Sequence, residues 1–338
     1  MHVRDAPIRG KHVWLAILKR RFRCPACRRV FTEPLPGIAT YGRVTERFKR
    51  EILWAAEKFS DLASVAKAYR CSTGFLYKTV YAMLELERRR KLLYPWPKVV
   101  GLDEHSFRRY EKGKIRFVTS VVDMVGDRLF EVVDAKAGLD LKEALASIPG
   151  RREVKWVVLD LAEHYRAFAK SFFPQAKLIA DEFHVVRLFS RLLNRKRIEK
   201  TGIVRRLPLR TLVLRNAEDL NDDEKKELWQ WLELHADVRE LYQYKESIRF
   251  FYRTRRRRLA RRLFIDLVDR MARSKQAAVK TLRQTLLDWS TEILAFHQRG
   301  LTNAMAEGFN RKAKLVQRRA FGYRSFRNYR LRLLNACA

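Results

Sequence analysis

Val154-Lys155-Trp156-Val157-Val158-Leu159-Asp160 is the stretch on which the reading of this chain turns. It is a short apolar run of strand-forming residues, and it stops on a carboxylate. A second such run, Val99-Val100-Gly101-Leu102, stops on Asp103. Far downstream, Glu307 stands within Thr302-Asn303-Ala304-Met305-Ala306-Glu307-Gly308-Phe309-Asn310-Arg311-Lys312. Carboxylates at the ends of buried strands are expensive to desolvate without a partner. Two divalent cations supply that partner, and carboxylate-held metal pairs catalyse in-line displacement at phosphorus. The expected substrate is therefore nucleic acid.

Outward from these runs the pattern alternates strands and helices. Ile115 to Met124 and Arg128 to Val133 read as strands joined through Gly126-Asp127. A helix from Leu139 to Ile148 precedes the strand ending at Asp160, and a helix from Glu163 to Phe173 follows it. A fifth strand, Lys177 to Ala180, stops on Asp181, and from Val185 to about Phe296 only helices are legible. The order β-β-β-α-β-α-β predicts an α/β ribonuclease-H-like core with an all-helical insertion and a closing helix. In such a core Asp103, Asp160 and Glu307 converge as catalytic, metal-holding acids for Mg²⁺ or Mn²⁺. Asp181 is the rival of Asp160, and counting strands favours Asp160. Asp123 leads into a turn, where Asp is common for local reasons, and Glu104 should face away from Asp103.

Asp181-Glu182-Phe183-His184 puts an acid three residues before a histidine. Asp181 and His184 are accessory or catalytic candidates there, against the plainer reading of a structural histidine. Asn310, Arg311, Lys312, Lys314, Arg318 and Arg319 follow Glu307. They are candidates to hold DNA phosphates, against a solvated basic face. Trp229, Trp231 and Trp289 suit base stacking or core packing.

Ahead of the core, Val44 to Phe59 reads as a helix with Val44, Phe48, Ile52 and Phe59 on one face. Ser60 or Asp61 caps a second helix, Leu62 to Tyr69, and a third runs from Phe75 to about Arg90. Helix, short turn and helix predict a helix-turn-helix. Residues 1–36 are short and basic. Their Cys24 and Cys27 form half a zinc site, which His2 and His12 are available to complete, or two free thiols. Lys and Arg outnumber Asp and Glu by 73 to 38, a net charge of +35, which attracts polyanions. At 47% hydrophobic residues the chain is globular. No apolar run nears the roughly 18 residues of a membrane span, so no membrane partner is expected. Soluble and intracellular is the expected location.

Four blocks carry a family resemblance: Arg20 to Cys27 with Phe31-Thr32-Glu33; Gly101 to Glu104; Asp181 to His184; and Asn303 to Lys314 with Phe321 to Phe326 and Tyr329 to Arg332. On these residues the chain resembles DDE-type transposases of bacterial insertion sequences, specifically the ISL-three family. The resemblance implies cut-and-paste DNA transposition with Mg²⁺, a zinc-ribbon-like amino-terminal module and a helix-turn-helix. It implies double-stranded DNA partners, both element ends and target, a homo-oligomer on DNA, and a cytoplasmic, nucleoid-associated place in a bacterium. The spacing of Asp181 and His184 is similar to one in Mutator-like transposases. A first cysteine pair of the family is absent ahead of Cys24, and Ala304 and Arg311 stand where the family favours Gly and Asn. The expected organisation is a partial zinc-binding-like segment (1–36), a helix-turn-helix module (40–92), the first part of the core (98–190), the helical insertion (191–295) and the closing part (296–338). The competing expectation is a catalytically decayed or domesticated sequence-specific DNA-binding protein.

Overall fold

The structure, a computed structural model, describes residues 1–59, 61–91, 94–109, 115–135, 138–202 and 208–338. They fall into two units, one of Met1–Tyr94, Phe107–Arg116 and Arg311–Ala338, the other of Pro95–Ser106 and Phe117–Asn310.

The first unit opens with two antiparallel hairpins that the basic composition of this region hides. β1 (His2–Ile8) pairs β2 (Lys11–Ala16), and β3 (Arg21–Arg23) pairs β4 (Val30–Thr32). Arg9 and Gly10 turn the first hairpin with φ of 49° and 76°, the left-handed pair that favours glycine at such a turn. Three helices follow: α1 (Glu46–Lys58), α2 (Leu62–Tyr69) and α3 (Thr73–Lys91). Phe48, Ile52, Val65, Leu76, Val80 and Leu84 form their common core, with Val44 and Phe59 packed against it. Asp61 caps α2 by accepting from the Ser64 N–H at 2.8 Å; Ser60, the other expected cap, lies outside the described residues. α2 ends on Arg70, whose φ of 46° is left-handed. The Arg4 guanidinium donates to the carbonyls of Tyr69 and Arg70 there, satisfying groups the helix leaves open.

The second unit is built on a five-stranded sheet of order β7-β6-β5-β8-β9. Its strands are β5 (Val99–Arg109), β6 (Ile115–Asp123), β7 (Arg128–Val133), β8 (Trp156–Leu159) and β9 (Lys177–Ala180). β8 is parallel to both β5 and β9, while β6 and β7 are antiparallel. α4 (Gly138–Leu145) and α5 (Glu163–Phe172) connect the later strands, and α5 packs on β8 and β9. The β6–β7 turn is shaped by Asp123, which accepts from the Val125 and Gly126 N–H groups and from Arg128. The expected local role of Asp123 is what the structure shows.

After β9 the chain is helical: α6 (Glu182–Thr201), α7 (Pro208–Leu214), α8 (Asp222–Glu233), α9 (Ala236–Arg253), α10 (Arg257–Ala272), α11 (Ala277–Asp288) and α12 (Ser290–Ala295). One hydrophobic cluster runs from Val100 and Val158 of the sheet through Phe189, Phe251 and Phe264 to Phe296. Charged pins reinforce it. Buried Glu292 on α12 takes the Arg166 guanidinium of α5 at 2.8 Å. Buried Lys245 on α9 donates to the Val213 and Arg215 carbonyls at the end of α7. α13 (Ala304–Arg319) carries Glu307; α14 (Phe326–Ala336) belongs to the first unit and packs there against α3. No described helix is long and apolar enough to cross a membrane.

Candidate active site

Strand register brings the acids together. Val99 pairs Trp156 and Gly101 pairs Val158, an offset of 57 (156 − 99) that equals 160 − 103. Trp156 pairs Lys177 and Leu159 pairs Ala180, an offset of 21 (177 − 156) that equals 181 − 160. Carried two steps past the last β5–β8 pair and one step past the last β8–β9 pair, the register sets Asp103, Asp160 and Asp181 level on three adjacent strands. Neighbouring strands lie roughly 4.8 Å apart, and residues in one row share a face. Asp103 does not end its strand, as its apolar run suggested: β5 continues to Arg109 because it keeps β6 as a neighbour beyond the end of β8.

The three carboxylates are held differently. Asp103 Oδ1 accepts from the Glu104 N–H and Oδ2 from Asn310 Nδ2, both at 2.8 Å. Asp181 Oδ1 accepts from the Asn303 N–H at 2.8 Å, and its Oδ2 lies 2.9 Å from His184 Nδ1. Asp160 Oδ1 is buried and has no hydrogen-bond partner. Asn303, which the sequence reading did not single out, ties the row to the start of α13. Its side-chain amide donates to the Leu102 carbonyl at 3.1 Å. Glycine at 101 makes room for it, since a Cβ there would stand 2.8 Å from Asn303 Oδ1.

Burial pushes the Asp103 carboxyl up to about 6, with the neighbouring Asp160 and Asp181 charges adding to the rise. Burial also raises Asp160, partly offset by His184. Burial works to lower His184, but the Asp181 hydrogen bond and the charges of Asp181, Asp160 and Asp103 leave its imidazole above the ordinary value. The site is thus a patch of crowded negative charge in which Asp160 Oδ1 is left open. Hard divalent cations suit such a donor set, and the open Asp160 oxygen fits one. Among the described residues, no three His, Cys, Asp or Glu side chains stand close enough to hold one ion.

Glu307 is exposed on α13, four residues after Asn303 and three before Asn310. These spacings keep it on the helix stripe that reaches Asp103 and Asp181. Arg311, Lys312, Lys314 and Arg318 are exposed in the first unit. Arg319 is exposed as well, but its guanidinium reaches the Lys58 and Phe59 carbonyls at the end of α1. Cys24 and Cys27 are free thiols in the β3–β4 hairpin, and no metal-holding group that includes them is found among the described residues. His12 Nδ1 lies instead 3.3 Å from the Arg4 guanidinium. Of the tryptophans, Trp289 is buried under Arg166 and Trp231 packs against the core, whereas Trp229 is 42% exposed.

Two comparisons meet this geometry. A family model described as "Transposase", of the DDE type and the ISL3 (ISL-three) group, matches residues 100–333. The transposase for insertion sequence element IS1001 of Bordetella parapertussis is 26% identical over 336 residues, covering 95% of this chain and 80% of that protein. The family match spans all but the first residue of the sheet, the helical insertion and α13, well over half of the chain. The chain belongs to the ISL3 family of DDE transposases.

Proposed function

We propose that this transposase cuts the DNA ends of its element and joins them to target DNA, with Asp103, Asp160 and Glu307 holding two Mg²⁺ or Mn²⁺ ions. The observation that carries the reading is the buried, partnerless Asp160 oxygen beside Asp103 on adjacent parallel strands. Bound there, the ions would activate the attacking hydroxyl and stabilise the charge that develops on phosphorus and the leaving oxygen. The protein's own part is positional. Asn310 orients Asp103 through its amide, and Asn303 ties Asp181 and Leu102 to the helix bearing Glu307. The open oxygen of Asp160 supports it as the second metal acid, and the contact of Asp181 Oδ2 with His184 Nδ1 supports Asp181 as the residue that orients His184. His184 then stands beside the row as a proton carrier or phosphate contact.

In this reading α2 and α3 act as a helix-turn-helix on double-stranded DNA, the exposed Arg311, Lys312, Lys314 and Arg318 hold phosphates, and the active form is a homo-oligomer on DNA. Cys24 and Cys27 supply half of a zinc site. The competing reading is a copy that binds element ends without cutting; the exposed position of Glu307 favours it.

The deciding experiment is metal-dependent nicking and joining of supercoiled plasmid carrying the flanking element ends. Wild type runs beside Asp160→Asn and Asp181→Asn. Products lost in Asp160→Asn and retained in Asp181→Asn support the assignment, whereas loss only in Asp181→Asn moves the second acid. Tight binding with no product from wild type establishes the non-cutting reading.

A further inference from the structure

Phe321 stands where a helix end usually carries glycine. α13 closes with the Gly322 N–H donating to the Gln317 carbonyl at 2.9 Å and the Phe321 N–H to the Arg318 carbonyl at 3.1 Å. This paired closure puts its penultimate residue in the left-handed region, normally as glycine. Here Phe321 takes it, at φ 52°, although its Cβ makes that conformation unfavourable. Packing does not compensate, because the ring is 89% exposed. A strained residue that contributes nothing to its own core points to a contact outside the fold.

Beside this turn lies a cleft of about 620 Å³ within the first unit, a size typical of small-ligand sites. Tyr77, Tyr81, Phe321 and Tyr323 give it aromatic surfaces, and Arg324 and Asn328 add a cation and an amide. The Tyr77 and Tyr81 rings lie 5.7 Å apart, and Tyr77 is 49% exposed. Among the described lining residues the one acid, Asp61, is engaged in capping α2. Aromatic faces accept any base by stacking, and a nearby arginine accepts the attached phosphate. A small apolar ligand would gain nothing from the cation, and an intact duplex presents no free base face to the rings.

We propose that this cleft takes one unpaired nucleobase of bound DNA, with Phe321 and Tyr77 as stacking surfaces and Arg324 on the adjoining phosphate. The assignment deepens the transposase reading and rests on DNA being the bound polymer, but it does not require the cutting step.

The test uses the full chain and two short duplexes of one sequence, one fully paired and one with a single 2-aminopurine left unpaired by an opposing abasic site. Wild type is expected to bind the unpaired duplex roughly tenfold more tightly and to change its 2-aminopurine fluorescence on binding. Phe321→Gly should abolish that preference and the fluorescence change, while keeping affinity for the paired duplex and a melting temperature no lower than wild type. Tyr77→Leu should weaken the preference in the same direction. Equal loss on both duplexes would reduce the turn to a general backbone contact and overturn the proposal. So would equal affinity of wild type for both, or a change of oligomeric state in Phe321→Gly without any base preference. If wild type prefers the unpaired base but produces no nicks, the cutting assignment fails and this one stands.

Discussion

Asp5 and Asp160 are both carboxylates withdrawn from water, in different units, and the fold treats them in opposite ways. Asp5 is buried between β1 and α1, and its oxygens take the Arg47 guanidinium, the Thr45 hydroxyl and the Ala6 N–H. The Arg47 hydrogen bond, the largest cause, holds its carboxyl down to about 2 despite burial. Asp160 has a buried oxygen with no partner, and burial raises its pKa. A structural carboxylate is buried together with its counter-charge. A carboxylate with an unpartnered buried oxygen carries a desolvation cost that His184 only partly offsets and that a cation would relieve. The difference separates an acid that the fold pairs with a counter-charge from one that it leaves with an open oxygen.

The sharpest way to break this contrast is to neutralise each acid in turn. Asp160→Asn should reduce nicking and joining to background while leaving thermal unfolding unchanged or slightly raised, since an unpaired buried charge is removed. Millimolar Mn²⁺ should stabilise wild type in thermal melts, by an amount set by its saturation, and leave Asp160→Asn unmoved. Mn²⁺ stabilisation surviving in the variant would remove Asp160 from the metal site. Asp5→Asn should do the reverse, costing about 2 kcal/mol of unfolding free energy, the scale of a charge-assisted hydrogen bond. Its effect on catalysis per folded molecule should be negligible; a loss comparable to that of Asp160→Asn would dissolve the contrast.

A smaller effect is expected one step back from the acids. Asn303→Ala removes the amide bond to Leu102 while the backbone N–H to Asp181 remains, so product formation should fall about 10- to 100-fold. Affinity for end DNA should stay constant, and a parallel drop in binding would make Asn303 merely structural. Gly101→Ala should copy this loss, because its Cβ displaces the same side chain.

The smallest effect is the pH dependence of unfolding. Asp5 has a folded pKa below its ordinary value of 3.8, so its contribution is whole above about 3.8. That contribution declines as pH falls and is gone below about 2. Its size is about 2 kcal/mol at most, reduced by solvent screening because Arg47 is largely exposed. Chemical denaturation of wild type and Asp5→Asn should converge as pH is lowered through this window. Curves that stay parallel would mean that Asp5 titrates normally in the folded chain.

Local physics was legible in the residues themselves. Runs such as Trp156 to Leu159 can satisfy their shape and hydrophobicity only as buried strands, and all four are buried. The stripe of Phe48 and Ile52 and the Asp61 cap depend on neighbours three or four residues away, so they too were readable. Arg9-Gly10 was a turn signal between two short runs, masked by the surrounding basic residues.

What lay beyond the sequence is everything carried by long-range pairing. Asp181 and Asp160 look like rivals along the chain, whereas lateral register puts both in one row with Asp103, Asp160 between the other two. Asn303 bonds partners 122 and 201 residues away, a distance at which no periodicity speaks. The composition and strand pattern determined a basic α/β protein with acids that directly follow buried apolar runs. Only the tertiary structure decided which oxygen remained open, because hydrogen-bond satisfaction belongs to the packed neighbourhood and not to the residue.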